Sequence, residues 1–321
     1  MLAYLNDIRR RATHMFLTVA AIMLPVMVLV YVAERLGLVA RAGELLAPVM
    51  AWIGLPAQAA IVWATTVITN IYGGIAVIAA LSGELHLTTA QISALGAMML
   101  FAHNLPTEQA VVRRAGASAL FTGSLRLVVG VVYGAAVAWV CAWGGWLQEP
   151  VSLAWLASSG DVHAGPPDVG PWLLSTARSM LLIWLIICVL VVVLDALERL
   201  GFTRWLTRRL APVLRLTGLT ERAAPLTTIG MLMGLAYGGA LIIEASERED
   251  YDRRTLLLAL CWLSLFHAVL EDTLLIAALG ANVWVILVLR GAFVLALMML
   301  LAAATKPGTR WGRRLARAAA R

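Results

Sequence analysis

The fold is decided by one stretch, LFAHNLPTEQA, which runs from Leu100 to Ala110. Apolar residues lead up to this stretch, and an imidazole, an amide, a proline and a carboxylate then interrupt them. Pro106 donates no backbone N–H and disfavours helix at the residue before it. If the segment lies in a membrane, the carbonyls freed at the break need partners that lipid cannot supply. We therefore expect the break to face protein or a water-filled cavity.

A similar stretch returns later in the chain, at Leu265–Thr273. Adding 164 to the number of a residue in the first stretch gives its counterpart in the second. The matched pairs are His103 with His267, Glu108 with Asp272, Gly116 with Gly280 and Arg126 with Arg290. These matches at one offset predict an internal duplication with a polar centre in each copy.

The composition is that of an integral membrane protein. Hydrophobic residues make up 61% of the chain and charged residues only 13%, against about 25% charged residues in soluble domains. A length of 321 residues allows roughly six to ten membrane segments of ~20 residues. The net charge of +7 does not indicate nucleic-acid binding, because the arginines cluster at segment ends, as the positive-inside rule predicts.

Several classes of chemistry have no support in the sequence. Three cysteines lie within apolar runs and are typical of buried small hydrophobic residues, namely Cys141, Cys188 and Cys261. The sequence contains no Walker motif, Cys-x-x-Cys pair, nucleophile elbow or HExxH motif. We therefore assign no catalytic residue, no cofactor and no metal ligand, and we expect the protein not to be an enzyme.

The first half of the chain predicts several membrane elements. Met15–Ala33 is expected to span, with a cleaved signal peptide as the competing interpretation. Leu38–Ile53 is too polar to span and predicts a helix at the membrane interface. A later helix breaks at His103 and ends near Gly116, and Ala119–Trp143 is expected to span again.

The segment Ala57–Ser82 predicts a re-entrant hairpin. Its two apolar arms are each too short to cross a ~30 Å hydrocarbon core. They meet at Asn70, Tyr72, Gly73 and Gly74, and a Gly-Gly pair permits close approach of the backbone. A single kinked spanning helix is the alternative interpretation.

The second half of the chain repeats these elements. Ser179–Leu197 and Asn282–Ala304 are expected to span, and the helix before the last span breaks at His267–Asp272. An arginine-rich segment predicts the second interfacial helix. The segment Arg222–Ser246 predicts the second hairpin, whose tip carries the matching residues Tyr237, Gly238 and Gly239.

Basic residues set the expected orientation in the membrane. The linker Gln148–Ala177 contains no Lys or Arg, whereas Arg199–Arg222 and residues 306–321 are rich in them. We therefore expect both termini in the cytoplasm, the linker outside, and the chain in the cell inner membrane. Each copy then makes an odd number of full crossings, so the two repeats are inverted, as in many secondary transporters.

The chain accordingly divides into four parts. Residues 1–147 form the first repeat, 148–172 an extracytoplasmic linker, 173–305 the second, inverted repeat, and 306–321 a basic cytoplasmic tail. The predicted fold class is all-α, a polytopic membrane protein with two inverted repeats. Each repeat has an interfacial helix, a re-entrant hairpin and a broken transmembrane helix.

This arrangement resembles the nucleoside recognition, or Gate, family of membrane proteins. The matching segments are Ala102–Glu108 and Phe266–Thr273, together with the Tyr-Gly-Gly hairpin of each copy. The resemblance covers nearly the whole chain except the linker and the tail, and it implies two Gate-like repeats. Gate-type domains are similar to parts of concentrative nucleoside transporters, of the ferrous-iron transporter's membrane domain and of spore maturation membrane proteins. The Asn-Glu-Phe motif of the nucleoside transporters does not occur in this sequence, so the resemblance does not assign a nucleoside.

The polar residues of the breaks and hairpin tips form the predicted substrate- or ion-binding site at the membrane midplane. A carboxylate at membrane depth is costly and usually marks an ion or substrate pathway, and a histidine titrates near neutral pH. Structural roles are the alternative: histidines bonded to freed carbonyls, carboxylates paired with arginines, and glycines that permit close helix packing. The predicted site residues are His103, Asn104, Glu108, His267, Glu271, Asp272, Asn70, Tyr72, Gly73, Gly74, Tyr237, Gly238 and Gly239, with Arg126 and Arg290 as gate or charge-pairing residues.

Two functions from different classes are compatible with the sequence. The leading hypothesis is a secondary transporter of a small organic solute, with a nucleoside-like substrate and proton or ion coupling left open. The alternative is a non-transporting membrane component that assembles with a partner protein, since arginine-rich faces contact anionic lipid or acidic partners. The expected partners are a small-molecule substrate and membrane lipid, with no nucleic acid, and a homo-oligomer is compatible with either function.

Overall fold

The structure, a computed structural model, is mostly helical. It describes residues 35–153, 155–156, 169–220, 223–235 and 252–306, together with residue 312 and scattered positions between 9 and 33. The described positions from 9 to 35 are helical up to the turn at Leu36, in agreement with the expected first helix. The described part departs from the all-α expectation at one place, where β1 (Leu87–Thr88) pairs antiparallel with β2 (Pro150–Val151).

After this first helix, six further helices follow one another in the described residues of the first half. They are α1 (Leu38–Ile53), α2 (Ala59–Ile68), α3 (Ile71–Ala80), α4 (Thr89–Phe101), α5 (Leu105–Arg114) and α6 (Ala119–Gly144). Helix α1 has the bounds that the sequence predicts. Glycines set them, because Gly37 before it and Gly54 after it have φ angles of 66° and 92°, which favour residues without a Cβ.

Helices α2 and α3 fold back on each other around Asn70. The side-chain oxygen of Asn70 accepts a hydrogen bond from the backbone N–H of Gly73 at 2.9 Å and so caps α3. A Cβ added to Gly74 would lie 1.9 Å from the side-chain oxygen of Thr66. Residues eight apart in one continuous helix are separated by ~12 Å, so this contact requires a hairpin and argues against a single kinked helix.

The first break separates α4 from α5. A capping box formed by Thr88 and Gln91 starts α4, and the helix ends at Phe101. Asn104 then takes a left-handed conformation with φ of 48°. Leu105 is already helical, contrary to the expectation from the proline that follows it. Pro106 lies in the first turn of α5, where no intrahelical N–H donor is needed.

The second half of the chain contains a matching succession of helices. They are α7 (Val169–Arg199), α8 (Phe202–Leu216), α9 (Ala223–Met233), α10 (Arg253–Leu265), α11 (Glu271–Ala278) and α12 (Arg290–Ala304), the last continuing a π-helix (Trp284–Leu289). A second break separates α10 from α11, and Ala268 in it has φ of 45°. The predicted tip residues of the second hairpin, Tyr237, Gly238 and Gly239, lie outside the described residues.

Three helices of the described part are long and apolar enough to cross a membrane. They are Ala119–Gly144, Thr176–Leu197 and Trp284–Ala304, close to the spans that the sequence predicts. Hydrogen bonds among the described residues also join the two halves of the chain. The hydroxyl of Tyr133 donates to the carbonyl of Val285 at 2.6 Å, and the N–H of Asn282 donates to the hydroxyl of Ser93 at 2.8 Å.

Candidate binding site between the two helix breaks

The two helix breaks meet at a pair of histidines. The Nε2 atoms of His103 and His267 lie 3.0 Å apart, and the two ring centroids are separated by 4.9 Å. Both residues are buried, with exposed fractions of 5% and 4%. The two polar centres that the sequence predicts for separate copies therefore form one site.

Each histidine ring is oriented by the helix that precedes it. The Nδ1 of His103 is 3.0 Å from the carbonyl oxygen of Met99, and the Nδ1 of His267 is 2.5 Å from that of Leu263. A carbonyl oxygen only accepts hydrogen bonds, so each Nδ1 carries the hydrogen and donates it. Both Nε2 atoms consequently point away from their own helices and toward each other.

Two carboxylates flank the histidine pair. One oxygen of Glu108 lies 3.2 Å from Nε2 of His267 and 3.5 Å from Nε2 of His103. Asp272 approaches from the second half, with its Oδ2 at 3.6 Å from Nε2 of His103. Each carboxylate follows the histidine of its own half at the same spacing, in the first turn of α5 or α11.

Arg126 stabilises the first break. It is fully buried in α6 and forms an ion pair with Glu108. Its Nε donates to the carbonyl of Phe101 at 2.7 Å, and its Nη2 donates to the carbonyl of His103 at 2.9 Å. One side chain thus neutralises the buried carboxylate and satisfies two carbonyls that the broken helix leaves free.

Arg290, the counterpart of Arg126, is placed differently. None of its three guanidinium nitrogens has a hydrogen-bond partner within the described part of the chain. Its guanidinium carbon lies 4.7 Å from the ring centroid of Phe266 and 5.7 Å from that of Phe101, in cation–π geometry. The Oδ2 of Asp272 likewise accepts no hydrogen bond from the described residues.

The remaining predicted residues have mixed placements. The hydroxyl of Tyr72 donates to a carboxylate oxygen of Glu271 at 3.1 Å, so the first hairpin contacts the second break. The backbone N–H of Asn104 donates to the carbonyl of Thr66 at 3.1 Å. The other three described residues of the predicted site cap and pack α2 and α3, and the structure shows no contact between them and the histidines. They are Asn70, Gly73 and Gly74.

Two buried hydroxyl residues beside the second break escaped the sequence analysis. Ser264 and Thr273 are buried on the helices that flank the second break, and their hydroxyls have no hydrogen-bond partner among the described residues. The offset search could not find Ser264, because its counterpart at the same spacing is Leu100. A search for hydroxyl residues within one turn of each break would have found both.

Comparison with known proteins finds a family model that is similar to part of the chain. Residues 16–138, which include His103, Glu108 and Arg126, match the family model described as Gate, nucleoside recognition. The chain is also 28% identical over 290 residues, 89% of each sequence, to YvoD of Bacillus subtilis strain 168, described as an uncharacterized membrane protein. No solved structure matches the chain.

The family match and the apolar helices define the protein at a coarse level. It is a multi-pass membrane protein. The similarity to the Bacillus protein extends over both halves of the chain, so it includes the second break as well as the segment that matches the Gate model.

The two arginines should differ in their contribution to stability. Arg126→Met should lower the free energy of unfolding by about 3–5 kcal/mol, because it leaves the buried Glu108 without its counter-charge. Arg290→Met should cost less, about 2 kcal/mol or below, since it removes a cation–π contact and no hydrogen bond to the described residues. Chemical denaturation in mixed micelles measures both values.

The double variant Arg126→Met/Glu108→Gln is the control for this comparison. It should recover part of the lost stability, because the unpaired charge is gone. Equal losses in the two single arginine variants would contradict the assigned roles.

Proposed function

We propose that the protein is a secondary transporter of a small organic solute, which binds between the two helix breaks. The observation that carries this proposal is a group of buried polar atoms without hydrogen-bond partners in the described part of the second half. About 90% or more of buried polar groups in proteins are hydrogen-bonded, so such a group favours a polar ligand. The atoms are Asp272 Oδ2, Ser264 Oγ, Thr273 Oγ1 and the guanidinium nitrogens of Arg290.

The similar geometry of the two breaks supports an internal repeat. Asn104 and Ala268 occupy equivalent positions and share the left-handed conformation. The N–H of Asn104 donates to the carbonyl of Thr66, and one position further along the second break the N–H of Val269 donates to that of Met231, both at 3.1 Å. Each break therefore contacts an earlier helix of its own half. With opposite orientations in the membrane, the halves would rock about the shared site to give alternating access.

A nucleoside-like solute fits the groups that lack partners. Hydroxyl and amide groups of such a molecule would donate to Asp272 and accept from Arg290, and the hydroxyls of Ser264 and Thr273 can do both. The family description supports this substrate class. The alternative, a non-transporting assembly component, is not favoured by these observations. Coupling to a proton or an ion is part of the proposal, because histidine and carboxylate side chains both lie at the site.

Transport should depend on the two carboxylates. After a solute screen by thermal shift, proteoliposome uptake should fall about tenfold or more in Glu108→Gln and in Asp272→Asn, since hydrogen bonds to charged groups contribute ~1.5–3 kcal/mol. Glu149→Gln, at an exposed position beyond α6, is the matched control and should transport normally. Wild-type uptake by both site variants, for a solute that the wild type carries, would remove these carboxylates from the mechanism.

The orientation that makes the repeats inverted can be measured by cysteine labelling. Ser159→Cys should react with a membrane-impermeant thiol reagent in intact cells, and Thr309→Cys should not, because basic flanks stay in the cytoplasm. The background lacks the native cysteines Cys141, Cys188 and Cys261. If both positions react, or neither does, the number of crossings between them is even and the repeats are not inverted.

A further inference from the structure

We propose that His103, His267 and Asp272 form a binding site for one divalent transition-metal ion between the two halves of the chain. The Nε2 atoms of both histidines and a carboxylate oxygen of Asp272 all lie within 4.8 Å of one another, and all three residues are buried. This proposal does not depend on transport. It departs from the sequence analysis, which assigned no metal ligands.

The orientation of the two rings is the first argument. Both Nδ1–H groups are bonded to backbone carbonyls, those of Met99 and Leu263. In the neutral rings each Nε2 then presents a lone pair, and the two lone pairs face each other at 3.0 Å. Two acceptors at this distance repel unless a proton or a metal ion lies between them. Metal-binding histidines usually donate the far ring N–H to a carbonyl or a carboxylate in this way.

The distances between the ligand atoms are the second argument. Zinc binds histidine nitrogen at ~2.0–2.1 Å and carboxylate oxygen at ~2.0–2.2 Å, so two ligand atoms around a tetrahedral ion lie about 3.3–3.4 Å apart. The two Nε2 atoms are 3.0 Å apart, and Nε2 of His103 is 3.6 Å from Oδ2 of Asp272. Shifts of a few tenths of an ångström would therefore admit an ion.

The state of Asp272 is the third argument. Asp272 is only 9% exposed, yet its Oδ2, the atom nearest His103, accepts no hydrogen bond from the described residues. A buried carboxylate oxygen without a donor is costly, and a metal ion would satisfy it. Glu108 differs because Arg126 already holds its Oε2, while its Oε1 lies within 3.5 Å of both Nε2 atoms and could serve as a fourth ligand.

The ligand set selects the class of ion. Two imidazoles with a carboxylate suit zinc, iron, cobalt, nickel or copper, whereas magnesium and calcium prefer sites made of oxygen atoms. The cysteines do not take part, since the three ligand atoms come from histidine and aspartate. The site should therefore bind Co²⁺ or Zn²⁺ in the presence of excess Mg²⁺.

The test is direct metal binding by the full chain. The protein is purified through a tag without histidine, stripped of metal and placed in lipid nanodiscs. Titration with Co²⁺, followed by visible absorption and competition with Zn²⁺, should give about one ion per chain. His103→Gln and Asp272→Asn should each weaken binding by about tenfold or more. His86→Gln, at an exposed histidine outside the site, should bind like the wild type.

The same titration can overturn the proposal. Absence of binding by the wild type would overturn the proposal. Equal binding by the wild type and both site variants would mean an adventitious ion only. If His103→Gln does not give a monodisperse protein, metal binding by the isosteric Asp272→Asn variant alone decides whether the proposed site holds the ion. Loss of binding in His86→Gln with retention in Asp272→Asn would place the ion elsewhere and contradict the proposed site.

Discussion

The structure depends on one constraint, the need to satisfy backbone carbonyls that are freed where a buried helix breaks. Lipid offers no donors, so the donors must come from the protein itself. The histidine of each break supplies one by bonding the carbonyl of the previous turn, and Arg126 supplies two more at the first break. Because each Nδ1 is committed to this task, each Nε2 is directed outward. The meeting of His103 and His267 is thus a consequence of how the breaks are stabilised.

The two breaks differ in how their buried polar side chains are paired. At the first break Arg126 pairs with Glu108 and donates to two freed carbonyls. At the second break Arg290 instead lies over Phe266, and the Oδ2 of Asp272 is left without a hydrogen bond from the described residues. The capacity for a ligand therefore belongs mainly to the second half. Arg126, which forms the ion pair of the first half, also holds His103, and the ligand would contact His103 as well.

The sequence alone predicts the local features of this chain well. The bounds of α1 follow from its flanking glycines, the three spans follow from apolar length, and both breaks follow from polar residues inside apolar helices. The repeat offset also identifies His267 from His103. These features are local or depend on a comparison of the chain with itself, which needs no knowledge of packing.

The sequence predicts one site shared by the two breaks, but it does not predict which side chains pair with one another there. An offset match implies equal environments, yet Arg126 and Arg290 have different partners, because a π-helix precedes Arg290 and the ring of Phe266 lies beside its guanidinium. The bond between Tyr72 and Glu271 likewise has no counterpart in the pattern, since the residue equivalent to Glu271 is Thr107. Such differences arise from tertiary packing, which periodicity and spacing do not encode.

The central claim is that the two breaks meet in one site, and a double-mutant cycle on the histidines tests it most directly. The free energy of unfolding is measured in mixed micelles for His103→Gln, His267→Gln and the double variant. Side chains in contact should show a coupling energy of about 0.5–3 kcal/mol, whereas His103→Gln combined with His86→Gln should be additive within about 0.3–0.5 kcal/mol. Additivity of the His103 and His267 variants would contradict the account, because it would mean that the two breaks do not meet.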